Sequence, residues 1–332
     1  MRTIIYGAGA IGSILGGYMH DDGQEVVLVC SKAHAEAISR GGLKITGVQG
    51  DFELDVPVVA DISEIDFRDD DVVFLTMKTH DTSAALEKLG DESKQLSAVC
   101  FQNSVRNEEI AAPHFGRVYG GIAFFGAKYL EPGKVIHTAE SSLGIGLYPK
   151  GLDETVEAIS AGPARAGFTV TTYPSIMAVK WAKLFRNLSN ALFAITGLSV
   201  MEGIKYENAR FLMADIVEEA LGVAEKADIE ILPLAGHQPP GKMVESLRRP
   251  GDREFDVPAE DETSLRPSTW QDLFLGRGRT EVEYLNGEIV RLGEKHGVAT
   301  PLNSLMVRVV NKMAAEKLKP GAYTPADLRG ML

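Results

Sequence analysis

Short apolar runs recur through the first half of the chain at Thr3–Tyr6, Val26–Val29, Val72–Thr76 and Ala98–Phe101. Each is too short for a helix and apolar throughout, the mark of a strand buried on both faces. Segments of helical periodicity lie between several of them; Ile11, Ile14, Leu15 and Tyr18 form one such apolar stripe. Alternation of this kind predicts a parallel sheet wound with helices on both sides. Further strand-like runs follow at Val118–Phe125, Lys134–His137 and Ser142–Leu147. A helix over Leu152–Ala166 and a strand at Thr169–Thr172 complete the pattern.

After Pro174 the period changes. Long amphipathic stretches predict helices over Ser175–Thr196, Asn208–Ala227, Glu281–His296 and Leu302–Lys317. The fold class expected is therefore α/β, a doubly wound N-terminal sheet over residues 1–172 followed by an all-helical domain over 173–332. Residues 229–267 are polar and rich in proline and charge, and Pro239-Pro240-Gly241 and Arg248-Arg249-Pro250-Gly251-Asp252 read as turns.

The first strand runs directly into Gly7-Ala8-Gly9-Ala10-Ile11-Gly12, which opens the first helix. Glycine-rich loops are common, but a strand before and an apolar helix after give this one a mechanism. Gly7 allows the tight turn and Gly9 lets a pyrophosphate approach the backbone. Gly12 lets helix and strand pack closely, with the phosphates on the helix N-terminus. A dinucleotide is the implied ligand. The second strand leaves through Cys30-Ser31-Lys32 without the carboxylate that accepts from a ribose 2′-hydroxyl. Ser31 and Lys32 can donate to a 2′-phosphate, which favours NADP(H). As an alternative, Lys32 is simply a solvated residue in the first turn of the next helix.

The 332 residues carry a net charge of −12, which argues against nucleic acid or an anionic membrane as partner. It also means that a phosphate site must be built from local donors. The two cysteines are too few for a disulfide scaffold and suggest a reducing cytoplasm. No apolar run is long enough to span a bilayer, and no metal-ligand spacing is present.

Lys180, Lys183, Asn187 and Asn190 fall on one polar stripe of the helix after the boundary. A lysine with amides suits a carbonyl that must be polarised beside a carboxylate; an exposed helix face would read the same way. Lys78 and Asn103 follow cofactor-domain strands and face the predicted crevice, as ligand groups or as ordinary loop residues. Thr280 and Glu283 read as a capping box that puts Glu281 in a first helical turn. There Glu281 serves either the helix dipole or a ligand hydroxyl.

Taken together, these motifs resemble the ketopantoate reductase family over essentially the whole chain. The resemblance is carried by Gly7-x-Gly9-x-x-Gly12, Lys78, Gln102-Asn103, Trp181-x-Lys183-Leu184-x-x-Asn187, Ser268-x-x-Gln271-Asp272 and Thr280-Glu281-x-x-Tyr284-Leu285-Asn286-Gly287. It implies an NADPH-binding Rossmann-type domain, a helical substrate domain, and reduction of a 2-oxo acid to a 2-hydroxy acid. Lys183 would be the proton donor, and Asn187 and Ser268 would bind substrate. Glu281 would contact substrate or cofactor. Lys78, Asn103 and Ala127, the last placed in a loop, would contact the cofactor; Asn103 could also hold substrate.

The chain departs from the family pattern in places. Ser31-Lys32 stands where an arginine is usual. Ala191 stands where a second substrate asparagine is expected, with Asn190 one residue earlier, and Met201 replaces a further asparagine. Gly276-Arg277-Gly278-Arg279 is one residue long against the pattern, and Gly236–Asp261 reads as an insertion. The expected activity is NADPH-dependent reduction of ketopantoate. A reductase of another 2-oxo acid, or a sensor that binds NADP(H) without turnover, are the alternatives.

Overall fold

The computed structural model describes residues 1–255 and 266–332. The chain divides between Lys180 and Trp181 into two compact units. Unit 1 contains β1 (Thr3–Tyr6), α1 (Ala10–Asp21), β2 (Val26–Val29), α2 (Lys32–Gly41), β3 (Leu43–Gly47), β4 (Phe52–Leu54), β5 (Val58–Val59) and β6 (Val72–Leu75). It continues with α3 (Thr82–Leu86), β7 (Ser97–Cys100), α4 (Asn107–Ala111), β8 (Arg117–Glu131), β9 (Lys134–Leu147), α5 (Glu154–Arg165) and β10 (Thr169–Thr172).

These strands form one sheet in the order β4-β3-β9-β8-β7-β6-β1-β2-β5, with β10 beside β9. From β7 through β6 and β1 to β2 the neighbours are parallel. β1 shows why the apolar runs are continuous. Ile5 packs into one core with Ile14, Leu15, Leu28 and Phe74, while Ile4 and Tyr6 pack into another with Val73, Leu75 and Ala98. Both faces are buried, so successive side chains, which point to opposite faces, must all be apolar. Cys30 belongs to the first core and Cys100 to the second, both as free thiols.

The expected strand pair Lys134–His137 and Ser142–Leu147 is one long strand, β9, paired antiparallel with β8. β8 continues well past Phe125. Ala127, expected in a loop, therefore lies inside β8 opposite His137, its side chain packed on the first core. Register shifts on either side of Gly126 disguise the alternation in sequence. β4 and β5 carry too few residues to stand out from loops, and β3, interrupted by Lys44 and ending in Thr46-Gly47, has no continuous apolar run.

Unit 2 is helical throughout its described residues. α6 (Ile176–Asn187) starts in unit 1 and continues into unit 2, followed by α7 (Ser189–Thr196), α8 (Val200–Lys205), α9 (Glu207–Lys226), α10 (Pro240–Leu247), α11 (Ser268–Phe274), α12 (Asn286–His296), α13 (Pro301–Ala315) and α14 (Pro325–Gly330). Leu184, Phe185, Leu192, Leu212, Ile216, Val217, Ile289, Leu305, Met306 and Val310 are buried in it. The single helix expected over Ser175–Thr196 is broken at Leu188, whose carbonyl accepts from Asn286 Nδ2 at 3.1 Å. α10 lies in the polar stretch of residues 229–267. Arg210, fully buried, ties that stretch to α9 by donating to the carbonyls of Leu247, Arg249 and Gly251. The part of the stretch at residues 256–265 lies outside the described residues. No helix among the described residues is long and apolar enough to cross a membrane.

Candidate functional site

In unit 1 the candidate groups gather at the carboxyl ends of β1, β2, β6 and β7. Gly7 has φ +91°, and a Cβ there would stand 2.6 Å from Met77 Cα. A Cβ on Gly12 would stand 2.7 Å from Ile5 Cγ2, so this glycine is what lets α1 lie against β1. At Gly9 the surroundings are different: a Cβ would find nothing nearer than the Gly7 carbonyl at 3.9 Å. Gly9 caps α1 without a side chain, and Ala10, Ile11 and Gly12 supply first-turn amides. An open backbone face beside first-turn amides is what a pyrophosphate requires.

Ser31 and Lys32 are both exposed at the start of α2. Lys32 stands in the first turn, where the helix dipole disfavours a cation, and its ammonium lies 4.0 Å from Glu36 Oε1. A first turn with a hydroxyl, an ammonium and no acidic residue fits a 2′-phosphate.

Lys78 and Asn103, both half-buried, follow adjacent strands β6 and β7. A buried network joins their turns. Thr79 Oγ1 and Asn107 Nδ2 each donate to the Asn103 carbonyl at 2.8 Å, and Thr82 Oγ1 donates to Asn107 Oδ1 at 2.9 Å. The strand pattern marked Lys78 and Asn103; the residues that hold them gave no signal of their own.

Lys180, on the polar stripe with Lys183, faces neither solvent nor a ligand cleft but a buried partner. It is 3% exposed, donates to the Cys100 carbonyl at 2.9 Å and pairs with the fully buried Glu108. Burial raises the Glu108 carboxyl above its ordinary range against the pull of Lys180, and raises the neighbouring Cys100 thiol. Helical spacing alone cannot tell a polar residue facing solvent from one facing a buried partner.

In unit 2, Lys183, Asn187, Asn190 and Ser268 are all half-buried. Ser268 is the first residue of α11, which packs on α7, the helix that carries Asn190. Ala191 is 1% exposed and belongs to the core, so on this helix Asn190 presents the amide. Glu281 is 5% exposed. The expected capping box does not form. Thr280 Oγ1 accepts from the Val282 amide, Glu283 accepts from Asn311, and α12 starts only at Asn286 after a short 3₁₀ turn. Glu281 thus lies at the start of that 3₁₀ turn, ahead of α12 and without a side-chain capping bond to it.

The segment after Glu281 is fixed by a buried chain that the sequence did not reveal. Asn286 Nδ2 reaches both the Leu188 carbonyl at 3.1 Å and Asn303 Oδ1 at 3.0 Å. Asn303 Nδ2 in turn donates to Glu219 at 2.8 Å. This chain holds the break between the helices of Asn187 and Asn190 to the helix that follows Glu281. Unit 2 carries one lysine, one buried carboxylate and several amide and hydroxyl groups at the candidate positions, group types that can bind a carboxylate, polarise a carbonyl and deliver a proton.

Comparison with known proteins places both units. The family model described as ketopantoate reductase PanE/ApbA matches residues 3–150, and that of its C-terminal part matches residues 175–314. A 2-dehydropantoate 2-reductase from Pyrococcus horikoshii is 32% identical over 325 residues, covering 97% of this chain and all of the relative. Among solved structures, a PanE/ApbA family ketopantoate reductase from Ralstonia eutropha is 27% identical with a TM-score of 0.79, covering 96% of this chain and 99% of that one. A D-mandelate dehydrogenase solved with NADH and anilino(oxo)acetate is 25% identical with a TM-score of 0.81 at the same coverage.

Proposed function

The chain belongs to the ketopantoate reductase family, and from that premise we propose that it reduces ketopantoate (2-dehydropantoate) to pantoate with NADPH. The observation that carries this reading is full-length likeness to a 2-dehydropantoate 2-reductase, together with a lysine, a buried acid and amides at the family's motif positions.

The glycine turn and the first turn of α1 hold the pyrophosphate. Ser31 and Lys32 hold the 2′-phosphate, and Lys78 and Asn103 hold the rest of the cofactor. When bound, NADPH supplies the hydride. Asn187, Asn190 and Ser268 orient the 2-oxo acid through its carboxylate and hydroxyl. The Lys183 ammonium polarises the 2-carbonyl and gives its proton to the oxygen as the alkoxide forms. Glu281 orients that lysine or a substrate hydroxyl. Ala127, half-buried in β8, is not needed for this reading.

A second reading, reduction of a different 2-oxo acid by the same chemistry, is favoured by the placement of Asn190 and by the likeness to a D-mandelate dehydrogenase. Loss of NADPH absorbance with a panel of 2-oxo acids separates the two. The first reading expects the highest kcat/KM with ketopantoate. Preference for another acid would establish the second, and no NADPH oxidation with any acid would overturn both.

A further inference from the structure

His34 is 1% exposed and has no part in the proposed chemistry, yet it stands inside the cofactor domain with both ring nitrogens engaged. The amide of Gly133, in the turn between β8 and β9, donates to its Nδ1 at 2.8 Å. Nδ1 is therefore an acceptor, and in the neutral ring the proton sits on Nε2. That proton points along the 3.1 Å contact to Ser13 Oγ. Ser13 then donates to the carbonyl of Ala8 at 3.3 Å. Each link has one direction: Gly133 to His34, His34 to Ser13, Ser13 to the glycine turn. Burial lowers the His34 pKa to about 4, so the ring stays in this neutral form.

The elements joined are informative. Ala8 lies in the turn beneath the first-turn amides of α1. His34 lies in the first turn of α2, with its own backbone amide on the Ser31 carbonyl at 2.9 Å. Gly133 is anchored from the other side, because its carbonyl accepts from the Lys44 amide on β3 at 2.8 Å. Two helix N-termini that would each take one phosphate of the same cofactor are thus spaced by one imidazole.

We propose that His34 is a positioning residue that sets the first turn of α2 at the reach of the cofactor's 2′-phosphate, and so contributes to selection of NADPH over NADH. This rests on the assignment of Ser31 and Lys32 to the 2′-phosphate. Because NADH has no phosphate there, a shift of α2 costs NADPH binding and leaves NADH binding nearly untouched. A residue that only stabilised the fold would affect both.

Dissociation constants for NADPH and NADH, measured on the full chain for the wild type, Lys32→Glu, His34→Leu and Ser13→Ala, test it. His34→Leu is expected to weaken NADPH about ten-fold and NADH less than about three-fold. Ser13→Ala, a small change that keeps the fold even where His34→Leu does not, is expected to shift selectivity in the same sense by a few-fold. Lys32→Glu reports on the underlying assignment. A selective loss of NADPH in Lys32→Glu, with equal losses or none in both other variants, overturns the role of His34 alone. Equal effects of Lys32→Glu on both cofactors overturn the assignment and the proposal with it.

Discussion

Replacing Lys180 with methionine should destabilise unit 1 by an amount set by the carboxylate it leaves behind. Glu108 is fully buried, and its Oε2 already lacks a hydrogen-bond partner in the folded protein. Without Lys180 the carboxylate must stay charged and uncompensated or take up a proton. Neutralising a carboxyl of ordinary pKa 4.5 at pH 7 costs about 3 kcal/mol, since each unit is about 1.4 kcal/mol. The donor to the Cys100 carbonyl is lost as well, which brings the total to about 3–5 kcal/mol, the usual cost of breaking a buried ion pair. In a unit of this size that lowers the melting temperature by roughly 10 °C. The sign with pH follows from the raised carboxyl. In Lys180→Met, Glu108 is protonated when folded and ionised when unfolded, so stability is retained below pH 4.5 and lost as pH rises. The gap to wild type should narrow between pH 7 and pH 5, because burial without the opposing lysine raises the carboxyl of the variant further than that of the wild type. Adding Glu108→Gln should remove that pH dependence and recover part of the loss. Calorimetry at both pH values checks this. An unchanged melting temperature at pH 7, or a gap that does not narrow at pH 5, would refute the reasoning.

Lys183→Ala, three residues further along the same helix, should instead lower kcat by about two to four orders of magnitude, as loss of a general acid does. Its NADPH dissociation constant and melting temperature should stay near wild type; a kcat within ten-fold of wild type would remove Lys183 from the chemistry. Asn190→Ala should raise KM for the 2-oxo acid by roughly ten- to hundred-fold, from about 1.5–3 kcal/mol for a hydrogen bond to a charged group, without altering NADPH affinity. An unaltered KM would leave Asn190 a surface residue. His34, with its pKa lowered from 6.5 to about 4, contributes stability that is complete above pH 6.5 and lost as pH falls towards 4. Urea unfolding should therefore show a loss of about 2 kcal/mol between pH 6.5 and pH 5 that is absent from His34→Leu; equal losses in both would mean that folding does not lower the His34 pKa.

What the sequence made legible was whatever a period encodes. Strands apolar at every position could only be buried on both faces, and β1, β2, β6 and β7 lie where that pattern put them. The glycines were legible because each answers a different steric demand. Gly7 needs a positive φ, Gly12 a close approach, and Gly9 an open face. On the substrate side helical spacing marked Lys183 and Asn187 together with Lys180, and only the motif resemblance set Lys183 apart and marked Ser268.

The misreadings share a cause: a polar side chain whose partner is distant in sequence. Lys180 and Lys183 look alike on a helical wheel, and only the arrival of Glu108 from α4 makes one an internal tie. Thr280 and Glu283 have capping-box spacing, but Asn311 offers Glu283 a donor and the box gives way. The helix expected through residue 196 breaks where Asn286 takes the Leu188 carbonyl. His34 left a local trace, since it precedes Ile38 by one helical turn and so lies on the buried face of α2. A titratable residue in register with an apolar stripe must be satisfied internally, because an unpaired buried polar group is costly. In this chain such residues sit where the ends of separate elements must be held in register: His34 between two helix N-termini, Lys180 at the end of β7, Asn286 at a helix break. Precision at the candidate site therefore comes from buried polar ties, while the apolar periods decide only which elements exist.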